Sequence, residues 1–434
     1  MISRYFGLQK LNTTVRQEAL AGLTTFITMA YIIVVNPKIL EAAGIPLGPS
    51  MVATILTAFI GTLLMGVYAK RPFAIAPYMG ENAFVAYTLV KGMGYSWQTV
   101  LGAVFISALI FALLTVLKVR SWLVTAIPNS LKVAFSVGIG LFLAFIGLNE
   151  TGIVSLGVPG APVQVGNLTQ APVLLSLFCF LLMSGLLIRK VNGAILLGML
   201  LTTLIAVPLG IAKIPTEAMS LPPSLAPILG KLDIAGALQP SFFPVIMTLF
   251  IILFVDTMGT LIGVSYTAGF LDKDGNLPEV EKPMLCDSVA TMTAAVLGTT
   301  AAGAYIESAA GIESGGKSGL TSVVTALLFL VALLFFPILT IVPACAYGPA
   351  LMVVGSMMLS PVKDIDFGDL TELIPAFITI ALISFTYNLG IGMSAGFIMY
   401  PLAKLFAGRG HEIPLGLWVL ALLSGLFFVV YPYH

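Results

Sequence analysis

The chain contains 434 residues, of which 59% are hydrophobic and only 9% are charged, and its formal net charge is +1. Soluble domains contain about 25% charged residues, so this composition indicates a polytopic membrane protein. The near-zero net charge and the lack of a basic run argue against a nucleic-acid partner. The three cysteines lie far apart in apolar runs, and both histidines lie in the C-terminal part of the chain. We therefore predict no metal site and no cofactor in the core.

Hydropathy predicts fourteen membrane-spanning segments. Apolar runs mark them near 20–41, 50–69, 73–91, 98–117, 131–148, 172–188, 193–212, 240–268, 284–299, 301–317, 318–337, 338–360 and, as two helices, 372–408. The stretches 73–91, 284–299 and 301–317 are too short or too rich in glycine to be simple spans, and we predict that the third and tenth segments break near the middle of the membrane. The final run, within 409–434, is either a fifteenth span or an interfacial helix anchored by Trp418, Tyr431 and Tyr433.

Basic residues predict on which side of the membrane each loop lies, because Lys and Arg accumulate in cytoplasmic loops. The N-terminus is polar and shows no cleavable signal. With it placed inside, the loops predicted to be cytoplasmic contain Arg4, Lys10, Arg16, Lys70, Arg71, Lys118, Arg120, Arg189, Lys190, Lys273, Lys282, Lys317, Lys363, Lys404 and Arg409. The last two fall inside only if the run 372–408 is split at 387–390, so we predict a break there. The exceptions, in loops predicted outside, are Lys91, Lys213 and Lys231.

Seven segments in each half place the second half upside down relative to the first, as an inverted repeat. The two interrupted segments carry a trace of this symmetry. Aligning APYMGENA (76–83) with GAYIESAA (303–310) places Gly80 opposite Glu307. We call the sequence separation between these two residues, 307 − 80, the repeat offset.

Two weaker traces agree with the same plan. The repeat offset also pairs Asp256 with Met29 in the first span, since 256 − 29 equals 307 − 80. In addition, Gly140 and Gly355 each lie twelve positions after a proline.

The stretch 300–320, TAAGAYIESAAGIESGGKSGL, places two carboxylates in a hydrophobic protein and contains five glycines. Non-helical backbone at membrane depth is tolerated only where protein buries it or where it lines a cavity. We therefore predict a broken, site-forming segment in which a short helix begins near Glu307 and aims unpaired N–H groups at the cavity. The alternative is a glycine-rich re-entrant or cytoplasmic loop.

Asp256 is the most isolated charge in the chain, with no basic residue within a dozen positions. A charge at a helix centre in the membrane is costly, and apolar surroundings favour the protonated acid. Asp256 and Glu307 are therefore predicted to carry a proton or to contact a ligand. The alternative for Asp256 is a neutral structural acid that bonds a neighbouring helix.

Asn82 offers both a donor and an acceptor, which suits the amide edge of a heterocycle. Its alternative role is a cap on the short helix. Glu81 and Glu313 lie near segment ends, where they would face water or pair with Lys317. Lys317 and Asp287 are interpreted as boundary charges near the surface.

The opening span, GLTTFITMAYIIVVNP at 22–37, carries Thr25, Thr28 and Tyr31 on an otherwise apolar helix. Such hydroxyls usually bond their own helix backbone. The chain contains no Walker A, GxSxG or HExxH motif, so ATP-driven pumping and hydrolytic chemistry lack support.

The motifs GLTTFITMAYIIVVNP, APYMGENAF, FVDTMGTLIG and AYIESAAGIESGGKSGLTS occur in this order. Together they resemble the purine permeases of the nucleobase:cation symporter 2 superfamily, in the azaguanine-transporter-like branch. The resemblance implies an all-α, uracil-permease-like fold of 7+7 helices with two repeats and two domains. The repeats are 1–213 and 239–408, the core domain is 18–118 plus 239–337, and the gate domain is 119–213 plus 338–408.

The resemblance also implies proton-coupled purine uptake and places Gly80, Asn82, Asp256 and Glu307 in the purine site. To these the predicted site adds Met29, the repeat counterpart of Asp256, and two residues beside the acids, Thr260 and Ser308. The sequence departs from the family pattern at Tyr78 and Glu81, where APGMGLNAF-like residues are expected. It also has Thr260 where related uracil permeases carry a histidine, so proton coupling is assigned to Asp256 first and Glu307 second.

These observations predict a symporter, not an enzyme, that imports adenine, guanine or hypoxanthine with protons across the inner membrane. The core domain would move against the gate domain in an elevator-like manner, and the gate could form a homodimer. The alternatives are an anion carrier or a xanthine or uracil transporter on the same fold, a membrane enzyme with an Asp256–Glu307 carboxylate pair, and a passive channel.

Overall fold

The computed structural model describes residues 2–117, 126–158, 161–215, 217, 219–272 and 277–430. Within these ranges nine helices are long and apolar enough to cross a bilayer, which confirms the prediction of a multi-pass helical membrane protein. Five residues named in the topology prediction lie outside the described residues: Lys118, Arg120, Lys273, Tyr431 and Tyr433.

In the first half of the chain, helices occur at every predicted segment. The elements are α1 (Ile2–Tyr5), α2 (Val15–Met29), α3 (Ile32–Glu41), α4 (Leu47–Leu64), β1 (Ile75–Pro77), α5 (Met79–Ala83), α6 (Trp97–Val116), α7 (Asn129–Glu150), β2 (Val154–Val158), β3 (Ala161–Val165), α8 (Ala171–Ile188) and α9 (Ala194–Ala206). Two π-helical stretches, Met65–Ala69 and Phe84–Gly92, extend α4 and α5. Strands β2 and β3 form a hairpin in the loop 149–171 that we predicted outside.

In the second half, helices again occur at the predicted segments. Its elements are α10 (Ile234–Ala237), α11 (Phe243–Ala268), α12 (Glu281–Leu297), β4 (Ala302–Ala304), α13 (Ser308–Glu313), α14 (Gly319–Ala332), α15 (Phe336–Thr340), α16 (Ala344–Met357), α17 (Leu370–Thr386), α18 (Leu389–Phe406) and α19 (Leu415–Val430). The extra C-terminal hydrophobic segment is the helix α19, which packs against α18.

One predicted helix break is present and another break was missed. Tyr387 ends α17 in a left-handed conformation (φ 56°), and Asn388 caps α18 by accepting a hydrogen bond from the Ile391 N–H at 3.2 Å. The first span, predicted as one helix, is divided at Ala30–Tyr31 into α2 and α3.

The interrupted third and tenth segments each contain a three-residue strand followed by a short helix, where the all-α prediction had no strand. Strands β1 and β4 pair antiparallel, with Ile75 opposite Ala304 and Pro77 opposite Ala302, and all six residues are buried. The physical reason is that a broken helix leaves N–H and C=O groups without partners, and a strand pair supplies them.

The strand pair follows the repeat offset, since 302 − 75 and 304 − 77 both equal 307 − 80. Each strand is held by one threonine hydroxyl that both accepts from and donates to the backbone of the same strand residue. Thr62 does so with Ile75 at 2.8 and 3.0 Å, and Thr291 does so with Ala302 at 3.1 and 2.7 Å. The two interrupted segments therefore lie in matching local environments.

The glycines that follow the two prolines at equal spacing lie against each other where α7 crosses α16. A Cβ on Gly140 would approach the Gly355 carbonyl oxygen to 2.7 Å, and a Cβ on Gly355 would approach the Gly140 oxygen to 2.3 Å. Only glycine allows this close approach, so the spacing noted in the sequence marks a real helix contact.

Loops predicted on one side of the membrane meet at one end of the molecule. The Tyr5 hydroxyl donates to the Val67 carbonyl at 3.0 Å, and Arg71 donates to the Pro278 carbonyl at 2.8 Å. At the other end, the Asp233 N–H donates to the Gln98 carbonyl at 2.9 Å. This grouping agrees with the predicted alternation, while the side that faces the cytoplasm stays a prediction.

A buried carboxylate on α2 holds the start of α14. Glu18 is fully buried and accepts four hydrogen bonds, from the N–H groups of Lys317 and Ser318 at 3.1 Å each and from the hydroxyls of Ser318 and Thr321 at 2.7 Å each. It satisfies donors at the helix N-terminus. This role was not anticipated from the sequence.

An ionic cluster ties the loop after α18 to the start of α17. Lys404 is 1% exposed and lies 2.7 Å from Glu372 and 2.9 Å from Glu412, while Arg409 lies 2.6 Å from both Asp369 and Glu412. Hydrogen bonds from Arg409 and Lys404 lower the pKa of Glu412 to about 2.

Candidate functional site

The strand crossing and its two short helices lie against α11 and α12, and this arrangement gathers four carboxyl groups. They come from four separate elements, and the residues are Glu81, Asp256, Asp287 and Glu307. Within the described ranges, none of these acids forms an ion pair. The site is therefore rich in acids and has no neutralising cation among the described side chains.

Glu307 immediately precedes α13 and is held by the first span. The Tyr31 hydroxyl donates to the Glu307 Oε1 atom at 2.5 Å, and Tyr31 is fully buried at the break between α2 and α3. The expectation that hydroxyls of this span bond their own helix is confirmed for Thr28, which donates to the Thr24 carbonyl at 2.7 Å. It is wrong for Tyr31, because the helix break turns its phenol toward α13.

Asp256 lies on α11, is half-buried and makes no hydrogen bond to any described residue. It interacts electrostatically with Glu81, Tyr78 and Tyr305. The alternative of a structural acid bonded to a neighbouring helix therefore has no support in the described part of the chain. The free carboxyl group is available to a proton or a ligand.

Two acids that the sequence analysis placed near the surface are buried instead. Glu81 is 1% exposed, and its Oε2 atom has no hydrogen-bond partner among the described residues. Asp287 is fully buried, and its Oδ2 atom accepts a hydrogen bond from the Ala304 N–H at 3.2 Å. Both predictions were wrong because the strand crossing draws these segments into the centre of the helix bundle. By contrast, Glu313 and Lys317 are exposed as predicted.

Asn82 belongs to a buried polar network. Its Nδ2 group donates to the Asn36 Oδ1 atom, and the Asn36 Nδ2 group donates to the hydroxyls of Thr54 at 2.7 Å and Thr299 at 3.0 Å. The alternative role as a helix cap is wrong, since Asn82 lies inside α5. Its carbonyl oxygen Oδ1 has no partner among the described residues and stays available as an acceptor.

Two tyrosines present parallel rings at the crossing. The ring centroids of Tyr78 and Tyr305 are 6.2 Å apart and their planes differ by 7°. The Tyr305 hydroxyl donates to the Pro77 carbonyl, and a Cβ on Gly303 would lie 2.2 Å from the Tyr78 hydroxyl oxygen. The sequence analysis missed Tyr305, although the repeat offset pairs it with Tyr78. Flat aromatic faces of this kind stack against planar ligands.

The other predicted site residues have different environments. Gly80 lies against α7, where an added Cβ would come within 2.4 Å of Ile139, and Met29 is fully buried at the end of α2. The Ser308 hydroxyl is buried and accepts a hydrogen bond from the Ala74 N–H at 3.0 Å. Thr260 is half-buried, one turn beyond Asp256 on α11.

A multi-pass helical protein with two interrupted segments crossing at a group of membrane-embedded acids is a transporter by class. Sequence comparison gives the family. The profile described as Permease family (Xan_ur_permease) matches residues 16–398. The chain belongs to this family, which confirms the resemblance drawn from the motifs.

Relatives match over almost the whole chain. A Methanocaldococcus jannaschii protein named as a permease is 47% identical, and the match covers 99% of this chain and 98% of the relative. The adenine permease AdeP of Escherichia coli is 38% identical, with 100% and 97% covered. The guanine/hypoxanthine permease PbuG of Bacillus subtilis is also 38% identical, with 98% and 99% covered.

Solved structures share the fold at low identity. The transmembrane domain of the cyanobacterial bicarbonate transporter BicA aligns with a TM-score of 0.63 at 15% identity, covering 88% of this chain and 96% of that domain. The SLC26A9 structure aligns with a TM-score of 0.66 at 12% identity, covering 94% of this chain and 68% of that chain. These matches establish the architecture alone.

Proposed function

We propose that this chain imports purine nucleobases, with adenine, guanine and hypoxanthine as the candidate substrates, by proton symport across the cell inner membrane. The names of the relatives at 38% identity support the substrate class. The main structural support is the arrangement at the site, where the Asp256 carboxyl group has no hydrogen-bond partner among the described residues and interacts with Tyr78 and Tyr305, whose rings are parallel.

The polar groups suit a flat base with N–H donors on its edge. The base stacks on the tyrosine rings, and its N–H groups donate to the free oxygens of Asp256 and Glu307. The Asn82 Oδ1 atom offers a further acceptor. Tyr31 orients the Glu307 carboxylate for this contact.

The acids also give a reason for proton coupling. A neutral purine brings no positive charge, so loading it beside membrane-embedded carboxylates leaves their charge uncompensated in a region of low dielectric constant. Protonation of Asp256 with the base removes one such charge. An anion would meet the same carboxylates without a basic partner among the described residues, so the site disfavours the anion-carrier alternative.

The transport cycle rests on the predicted two-domain architecture. Fourteen segments in two inverted repeats, 1–213 and 239–408, give a core domain (18–118 plus 239–337) that carries the site and a gate domain (119–213 plus 338–408). The equal offset of the crossing strands and the glycine contact between α7 and α16 support the repeats. In this scheme the core moves against a gate that forms a homodimer, and the N-terminus is cytoplasmic.

Uptake of radiolabelled bases in permease-deficient cells tests the proposal. We expect accumulation of a purine that collapses with a protonophore, and loss of uptake in Asp256→Asn and Glu307→Gln proteins that still reach the membrane. Glu313→Gln, which changes an exposed acid, is the matched control and should transport normally. Xanthine, uracil or bicarbonate uptake in place of these purines would replace the substrate assignment, and unchanged accumulation in both site variants would refute it.

A further inference from the structure

From the burial and pairing of the acids we infer that Glu81 is a second proton-holding residue, which shares one proton with Asp256. The coupling unit of this transporter is then a carboxyl pair instead of a single acid. The inference rests on the proposed proton symport and adds to it a residue that the sequence analysis had placed at a segment end.

Burial is the first observation. The Glu81 side chain is 1% exposed on α5, and it accepts no hydrogen bond from any described residue. None of the described basic side chains pairs with it. An ionised carboxylate in such surroundings has neither solvent nor a counter-charge, so ionisation of Glu81 is costly unless a proton is shared with it.

The neighbouring acid is the second observation. Helix α5 contacts α11, and Glu81 interacts electrostatically with Asp256, which is only half-buried. Carboxyl groups that interact across contacting helices resist ionising together, and their protons are released in coupled steps. Asp256 takes the proton from a hydronium ion on one side, so one O–H bond forms at the pair as one breaks in the hydronium ion. On the other side the O–H bond of the pair breaks as the proton passes to water.

The remaining titratable groups around Glu81 differ from this pair. Asp287 on α12 accepts a hydrogen bond from the Ala304 N–H, and Glu307 beside α13 accepts one from Tyr31. Each of these acids therefore has a hydrogen-bond donor among the described residues, which Glu81 and Asp256 lack. Tyr78 and Tyr305 contribute only phenols. Of the other elements packed against α5, α7 presents Ile139 at Gly80 and α3 presents Asn36 at Asn82, neither of which titrates. The π-helical stretch that follows α5 contains Tyr87, whose phenol is bonded to Glu150.

The pair predicts how pH acts on transport. In the wild type, repulsion between the two carboxylates disfavours loss of the shared proton. The pair therefore keeps this proton at a higher pH than Asp256 would keep a proton on its own. Glu81→Gln removes that repulsion and supplies an amide donor to Asp256. Adenine uptake, plotted against pH, should fall at high pH, and we call this fall the alkaline limb. In Glu81→Gln the alkaline limb should lie about one pH unit lower than in the wild type. Glu81→Asp should restore the limb, and the exposed-acid variant Glu313→Gln should leave it in place.

A substrate-independent measurement separates this inference from the proposed function. Infrared titration of the purified protein follows the C=O band of protonated carboxyl groups. We expect Glu81→Gln to remove one such band and to shift the titration of another toward acid, with Asp256→Asn abolishing that coupled titration. An unchanged spectrum in Glu81→Gln, or an unmoved uptake limb, overturns the carboxyl pair. If the wild type takes up no purine but its infrared spectrum still shows the coupled titration, the symport assignment is wrong and the carboxyl pair stands.

Discussion

Removal of the Tyr87 hydroxyl is expected to shift the balance between two conformations of the transporter. Tyr87 lies in the π-helical stretch after α5, in the predicted core, and donates to the Glu150 Oε1 atom at 2.9 Å. Glu150 is the last residue of α7, in the predicted gate. Its other oxygen accepts a hydrogen bond from Tyr347 of α16, also at 2.9 Å. Glu150 therefore links a core residue to the gate.

The size of the effect follows from the bond that is lost. A hydrogen bond to a charged group contributes about 1.5–3 kcal/mol, and both side chains here are half-buried, so water replaces part of it. We expect a cost near the lower limit, which is about a 10-fold change in the ratio of the two conformations. Because the bond joins core to gate, Tyr87→Phe should depopulate the conformation seen here.

Spin labels on the two domains measure this ratio. One label at Lys282→Cys in the core and one at Lys363→Cys in the gate occupy solvent-accessible positions. The native cysteines are buried and should not label. Tyr347→Phe is the matched control, because it removes an equal hydrogen bond to the same carboxylate inside the gate. Equal shifts in the two variants, or no shift in Tyr87→Phe, would refute the argument.

Three other substitutions each test one contact. Glu18→Ala leaves four donors without their acceptor and should cost about 3 kcal/mol of unfolding free energy, seen as a lower melting temperature than in Glu313→Ala. Gly303→Ala forces a methyl group against the Tyr78 ring and should reduce adenine uptake about 10-fold, whereas Gly185→Ala, with open space around its Cβ, should not. Glu412→Gln tests the ionic cluster. Since its pKa is lowered to about 2, its stabilisation is complete above about pH 4.5 and is lost toward pH 2, so the melting-temperature difference from wild type should shrink in that range.

Hydropathy predicted the helices well because a bilayer demands about twenty apolar residues in a row, which leaves a strong local signal. The break before α18 could also be predicted from the sequence. Only a break at 387–390 places Lys404 and Arg409 on the cytoplasmic side with the other basic loop residues. The break at Ala30–Tyr31 left no comparable signal in an apolar run. That break matters for the site, because it carries the Tyr31 hydroxyl to Glu307.

Burial of the acids was the part that local sequence could not reveal. Position within a segment estimates depth in the membrane, and Asp287 lies near the start of its predicted segment, while Glu81 lies beside the predicted break of the third segment. Their burial depends on β1 and β4 crossing against α11 and α12, which brings together strands from opposite halves of the chain. Asp256 was identified because its isolation on an apolar helix needs no tertiary information.

The crossing strands also explain why the site requires both halves of the chain. The Tyr78 N–H donates to the Ala301 carbonyl and the Tyr305 N–H donates to the Ala74 carbonyl, each at 2.9 Å, and the repeat offset relates the two bonds to each other. Each half therefore satisfies the backbone groups that the other half leaves open where its helix breaks. A displacement of one strand would leave buried donors unpaired on both, so the two tyrosine rings and the acids beside them are held as one unit. Such a unit suits the proposed cycle, in which the predicted core domain moves as one body.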